Sequence, residues 1–293
     1  MTPRLVRTAA ELRAACDAVR PGHRVGFVPT MGALHEGHMA LVAEARRRAG
    51  LVVASIFVNP TQFGPNEDLS RYPRDLGGDV DKLGRASADL VFAPDAGEMY
   101  PADDDTRVHV NRIAAPLEGE RRPGHFDGVA TVVAKLFAIV GPCDAIFGRK
   151  DYQQLLVVRR MVRDLLLPVE VIGHAIVREP GGLAMSSRNA YLSGDERARA
   201  LSIVRGLDAA ARTFAAGERR RGALEGAVRA SIEPAVTSID YVEARAPDTL
   251  AALGDTVGDR AALLVACRVG STRLIDNVVL GEDPAPLSSE TTC

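Results

Sequence analysis

The chain has 293 residues, a formal net charge of −2, 46% apolar residues and 25% charged residues. This is enough apolar mass for one large or two modest domains, at about 150 residues per domain. Near-neutral charge provides no overall basic field for nucleic acid, so any cationic site must be local.

The first stretch, Met-Thr-Pro-Arg followed by a polar helical segment over 9–19, does not read as a signal peptide. No apolar run approaches the roughly 20 residues of a membrane span, so no membrane partner is expected. Cys16, Cys143, Cys267 and Cys293 are far apart and form no Cys-x-x-Cys pair. A reduced, cytoplasmic setting is the simplest expectation, with Cys143 and Cys267 as small core residues.

Strands are predicted over 24–28, 51–58, 89–93, 144–147 and 169–177. Helices are predicted between them over 36–49, 77–85, 127–140 and 151–164. The run Leu51-Val-Val-Ala-Ser-Ile-Phe-Val58 is almost wholly apolar, as in a strand covered on both faces. Such alternation predicts an α/β fold with a Rossmann-like parallel sheet and flanking helices, binding ligands beyond the carboxyl ends of its strands. After Leu192 the pattern changes. Ser193-Gly-Asp-Glu196 predicts a capping box opening a helix to about residue 216. A second helix over 218–232 and strands over 239–244, 261–268 and 273–279 complete a smaller α+β domain. The expected division is 1–176, 177–281 and a disordered tail over 282–293, which carries Pro284 and Pro286.

The chemistry-bearing segments follow the strands. Residues 29–38 read Pro-Thr-Met-Gly-Ala-Leu-His-Glu-Gly-His, placing His35 and His38 beside Gly32 and Gly37 at a helix start. Two imidazoles and free backbone N–H groups at a helix N-terminus suit phosphate. Zinc is disfavoured, because a helical zinc motif spaces its histidines by four and no third ligand is evident. Lys150 in Gly148-Arg-Lys-Asp151 adds a cation after a strand. Met185-Ser-Ser-Arg188 adds two hydroxyls and a guanidinium. Three dispersed cationic turns suit a nucleoside triphosphate attacked at phosphorus. Asn59 and Gln62 offer neutral amides fitting a hydroxyl-bearing organic acid, and Gln153 and Gln154 could join them. Asp75, Asp79 and Asp81 either hold magnesium or form a solvated acidic helix start. P-loop, Gly-x-Gly-x-x-Gly and Gly-x-Ser-x-Gly signatures are absent from the sequence.

To about residue 280 the chain resembles the pantoate–β-alanine ligase family of the HIGH-motif nucleotidyltransferase superfamily. The resemblance rests on residues 29–38 together with Asn59-Pro-Thr-Gln-Phe-Gly64, Tyr72-Pro-Arg74, Arg122-Pro-Gly-His-Phe-Asp-Gly128, Gly148-Arg-Lys-Asp-Tyr-Gln-Gln154 and Met185-Ser-Ser-Arg188. It implies an AMP-forming, carbon–nitrogen bond-forming ligase that condenses pantoate with β-alanine through pantoyl adenylate. ATP would be the co-substrate, Mg2+ would accompany it, and the C-terminal domain would act as a lid. It also implies a homodimer. His35, His38, Lys150 and Arg188 would be catalytic. Met31, Gly32, Gly37, Gly148, Asp151, Val177, Met185, Ser186 and Ser187 would join them around ATP. Gln62, Gln154 and Asn59 would take pantoate or β-alanine, and Asp79 would be the magnesium ligand. Two departures stand out: Arg149 where the family usually has glutamate, and Gly77-Gly78 where relatives carry more polar residues.

Overall fold

The computed structural model describes residues 2–65 and 67–288. The chain divides into two units. The first runs to Arg149 and resumes over Gln153–Ala175; the second takes Lys150–Tyr152 and continues from Ile176. The excursion at Lys150–Tyr152 was not expected from the sequence.

The first unit holds β1 (Arg4–Val6), β2 (Val25–Thr30), β3 (Leu51–Ile56), β4 (Leu90–Phe92), β5 (Cys143–Gly148) and β6 (Val169–His174). They form one sheet in the order β1-β4-β3-β2-β5-β6. Every pairing is parallel. The chain adds β3 and β4 on one side of β2 and then β5 on the other. The order therefore reverses at the carboxyl ends of β2 and β5, where ligands of such sheets bind. The edge strand β1 escaped the sequence reading because three residues carry no usable period.

The helices are α1 (Ala9–Val19), α2 (Glu36–Arg48), α3 (Leu76–Arg85), the single turns α4 (Ala96–Met99), α5 (Asn111–Ala114) and α6 (Glu118–Arg121), then α7 (His125–Val140) and α8 (Tyr152–Asp164). Alternation along β2 sends Val28 to a core with Leu41, Val42 and Ala45 of α2 and Leu83 of α3. Phe27 points the other way, meeting Phe137 of α7 edge-on at 6.3 Å. Gly26 lets α2 approach closely: a Cβ there would lie 3.0 Å from that of Ala45. Each fully buried aliphatic side chain in this core contributes roughly 1.5–3 kcal/mol.

The second unit packs α9 (Gly194–Ala215) and α10 (Arg221–Ile232) on an antiparallel sheet of β7 (Ser238–Arg245), β8 (Ala261–Val269) and β9 (Thr272–Leu280). Ile203, Leu207, Leu224, Val228, Val242 and Val265 lie in its core. The predicted capping box is present: Glu196 N–H donates to Ser193 Oγ at 3.2 Å, and Ser193 N–H to Glu196 Oε2 at 2.9 Å. The tail expected to be disordered from 282 is instead held through its described part. Leu287 N–H donates to Asp208 Oδ1 at 2.9 Å, and Ala285 packs on the core. Buried Asp208 supplies an anchor that composition does not reveal; residues 289–293 lie outside the described residues. Burial pushes the thiols of Cys16 up to about 11 and of Cys143 and Cys267 up to about 12, as expected of inert core cysteines. Cys293 lies outside the described residues.

Candidate active site

Between β2 and α2 the backbone turns through Gly32 and Ala33, with φ of 82° and 51°. The left-handed region costs a non-glycine residue roughly 1–2 kcal/mol, so this turn requires support. Asp79 of α3 supplies it. Its carboxylate accepts from the N–H groups of Ala33 at 2.8 Å and Leu34 at 2.9 Å. Lys82 lies 3.5 Å from the same carboxylate and donates to the Leu34 carbonyl at 2.8 Å. Gly32 packs close too, since a Cβ would sit 3.0 Å from Asp79 Oδ2. With one side-chain oxygen on each N–H and 1% exposure, Asp79 does not fit the magnesium role. Among the described residues no group of three or more His, Cys, Asp or Glu side chains could hold a metal ion.

The braced turn delivers the histidines. His35 caps α2, and its N–H donates to His38 Nδ1 at 3.3 Å. The rings lie 4.1 Å apart between centroids. Because Nδ1 of His38 accepts, its neutral ring carries the proton on Nε2, which makes that atom a donor suited to phosphate oxygen. Glu36 begins the helix and Gly37 follows within it, so Met31, Gly32, Gly37 and both histidines belong to one loop-to-helix corner of the first unit.

Gln62 lies in a 3-10 turn after β3, buried and held at both ends. Asn59 Nδ2 donates to Gln62 Oε1 at 3.0 Å and to the Gly128 carbonyl at 3.1 Å. Asn59 Oδ1 accepts from Tyr100 OH at 2.7 Å and Thr61 Oγ1 at 2.9 Å. Both amide ends of Asn59 are therefore committed to the protein. In this arrangement Asn59 orients the amide of Gln62. Gln62 Nε2 is consequently the donor end, 3.1 Å from Met31 Sδ of the histidine loop. Gly128 is required where α7 crosses this turn, since a Cβ would collide with the backbone of Thr61 and Gln62.

The main chain of Gln62 is fixed by Arg122 and His125 of the 122–128 motif, to which the sequence alone gives no role. Arg122 donates to His125 Nε2 at 3.0 Å, so the imidazole proton sits on Nδ1 and donates to the Gln62 carbonyl at 2.9 Å. Burial, aided by Arg122, pushes the His125 imidazole down to about 4, keeping this tautomer neutral. Arg122 also grips both oxygens of Glu67 at 2.6 and 2.7 Å. Burial opposes ionisation there, yet Arg122 holds the Glu67 carboxyl below its ordinary range. Gln153 is likewise structural. It donates to the carbonyls of Ile113 and Pro116 at 2.9 and 2.7 Å and accepts from Glu118 N–H at 3.0 Å. Gln154 stays half-buried beside it in α8. With the substrates that the family resemblance implies, Asn59→Ala is expected to raise the pantoate KM by up to about tenfold, the scale of one lost hydrogen bond, with a smaller change in ATP KM. Steady-state kinetics check this; equal shifts in both constants would make Asn59 a stability residue only.

In the second unit, Lys150 sits in the 3-10 turn Arg149–Asp151, its Nζ 3.8 Å from Asp151 Oδ1. A hairpin joins Val177 to Met185, whose N–H donates to the Val177 carbonyl at 3.0 Å. Ser186 Oγ then accepts from Arg188 N–H at 3.3 Å, opening the turn Ser187–Tyr191.

All of these residues lie within the span that one family model matches. The Pantoate-beta-alanine ligase family model matches residues 4–279. The chain belongs to the pantoate–β-alanine ligase family. A pantothenate synthetase of Roseiflexus sp. (strain RS-1) is 56% identical, the match covering 94% of this chain and 99% of the relative. A pantothenate synthetase crystal structure from Thermus thermophilus superposes with a TM-score of 0.88 at 52% identity, over 94% of this chain and 98% of that one. A Francisella tularensis pantoate–β-alanine ligase, solved in complex with β,γ-ATP and β-alanine, matches with a TM-score of 0.77 at 30% identity, over 96% and 99%. The ligases of this family share the α/β architecture found here, a parallel sheet with flanking helices followed by a smaller α+β unit. No helix of the described residues is long and apolar enough to cross a membrane.

Proposed function

We propose that the protein joins pantoate to β-alanine in two steps. In the first, a pantoate carboxylate oxygen attacks the α-phosphorus of ATP. The bond from that phosphorus to the bridging oxygen breaks, and pyrophosphate leaves with its electron pair. In the second, the β-alanine amine attacks the acyl carbon of pantoyl adenylate, the acyl–oxygen bond breaks and AMP departs. The amine loses a proton and pantothenate forms. Adenylation replaces an oxide leaving group with a far better one.

The observation that carries this reading is the braced histidine corner beside an amide whose donor end is fixed. His38, carrying its proton on Nε2, donates to phosphate oxygen as charge develops there. His35 contributes at the same helix start. Gln62 Nε2 donates to an oxygen of pantoate, and Gln154 is assigned to the same substrate. The family resemblance assigns Lys150 to the α-phosphate charge and Ser186, Ser187 and Arg188 to the outer phosphates. It assigns nucleotide contacts to Gly148, Asp151, Val177 and Met185. Magnesium enters as the counter-ion of ATP, without Asp79. The relatives' names and the bound β,γ-ATP and β-alanine of the Francisella tularensis protein support the substrate set.

The test is AMP release with each substrate omitted in turn. AMP is expected only when ATP, pantoate and β-alanine are all present. ATP with pantoate alone should give a single-turnover burst of pyrophosphate. AMP formed with neither organic substrate overturns the ligase reading. A homodimer is part of the same proposal and is read by light scattering.

A further inference from the structure

The second unit carries two segments assigned to phosphate: the Lys150 turn is hydrogen-bonded to Asn277 of β9, and the hairpin that leads into Ser186–Arg188 is tied through Arg178 to the adjacent Asp276. Asp276 and Asn277 of β9 are 4% and 3% exposed. Their backbones pair with Val265 and Leu264 of β8, and successive residues of a strand point to opposite faces.

Asp276 takes a bidentate pair from Arg178, at 2.7 and 3.1 Å. Both side chains are deeply buried. Arg178 bridges to Ala184 across the hairpin that ends at Met185, and its guanidinium also donates to the Gly182 carbonyl at 3.1 Å. Ser186, Ser187 and Arg188 follow at once. A second tie closes the same hairpin, where Asn189 Nδ2 donates to Glu179 Oε1 at 2.8 Å and to the Ala184 carbonyl at 3.0 Å. Asn277 Nδ2 donates to the Lys150 carbonyl at 2.9 Å. That segment reaches the second unit only as Lys150–Tyr152, where Tyr152 OH adds a bond to the Pro247 carbonyl at 3.0 Å.

Burying a carboxylate and an amide in strand β9, beside core residues such as Leu263, Val265, Val278 and Leu280, is costly unless each is bonded. We infer that Asp276 and Asn277 are positioning residues: they fasten the Ser186–Arg188 loop and the Lys150 turn to one rigid strand, so that the two cationic groups meet a triphosphate at a fixed spacing. The inference rests on the assignment of Lys150 and Arg188 to ATP in the proposed function.

Double-mutant cycles test it, with ATP and pantoate kinetics and thermal melting for every variant. Asn277→Ala is expected to lower kcat/KM for ATP about tenfold, the scale of one lost hydrogen bond, with pantoate KM within about twofold. In a Lys150→Ala background it should add less than about threefold, because it acts through Lys150. Arg178→Met with Asp276→Leu removes both buried charges and should raise ATP KM, again without further loss in an Arg188→Ala background. If Asn277→Ala unfolds, the near-isosteric Asn277→Asp removes the donor and takes its place. Full multiplication of the Asn277 and Lys150 effects, or equal shifts in ATP and pantoate KM, overturns the inference. Losses below tenfold for Lys150→Ala and Arg188→Ala themselves would instead remove the phosphate assignment beneath it.

Discussion

Replacing His38 or Lys150 by alanine is expected to lower turnover by on the order of 10²-fold or more, the scale of removing one transition-state donor. Melting temperature should move by no more than a few degrees, since neither side chain is buried core. For His38 the argument can be carried to one atom. Its Nδ1 accepts from His35 N–H, so the proton available to phosphate sits on Nε2. A glutamine amide nitrogen reaches about as far as Nε2, whereas an asparagine nitrogen falls near Nδ1. His38→Gln should therefore retain more pyrophosphate-releasing activity than His38→Asn. The reverse order would mean that the ring serves the backbone of the turn rather than the nucleotide. A tenfold or smaller loss for both alanine variants would mean that the roles lie elsewhere.

How far the site could be read from the chain depended on sequence separation. The histidine pair is local, three residues along a helix start, and its geometry follows from the motif. The strand–helix order was also legible, because short apolar runs of strand length alternate with amphipathic stretches of helical period. The bracing by Asn59 was not legible, because an amide beside Gln62 looks the same in sequence whether it binds a ligand or holds its neighbour. Its deciding partners, Tyr100 and the Gly128 carbonyl, are 41 and 69 residues away. His125 and Arg122 lie 63 and 60 residues from the carbonyl they steady, so their role needed the packing of α7 against the turn. Only the motif 122–128, polar where a core helix begins, hinted at it. At Lys150 the sequence placed the cation correctly after a strand, but not the unit that holds its backbone.

Asp79→Ala is expected to be the most damaging single change outside the residues that meet substrate. It removes the acceptor from two N–H groups and leaves Lys82 without the carboxylate it neighbours. A charge-assisted hydrogen bond contributes about 1.5–3 kcal/mol, and the loss should appear as a fall of several degrees in melting temperature. The half-exposed Lys82 adds little of its own, because solvent screens it. The larger effect is on chemistry. Ala33 holds a left-handed φ of 51° only while Asp79 secures its N–H, so the freed turn relaxes and the histidines shift. A misplacement of about 1 Å can cost on the order of 10²-fold, and that is the expected loss in kcat. Ala33→Gly in the same background should recover part of it, since glycine adopts positive φ without strain. Magnesium titration separates the brace from the metal reading. A lost ligand is offset by excess metal, whereas a relaxed turn is not. Activity of Asp79→Ala that climbs back at high magnesium would place the ion on Asp79 and remove the brace as the cause. Unchanged activity across the titration, with recovery by Ala33→Gly, fixes the origin of the defect in the backbone that presents His35 and His38.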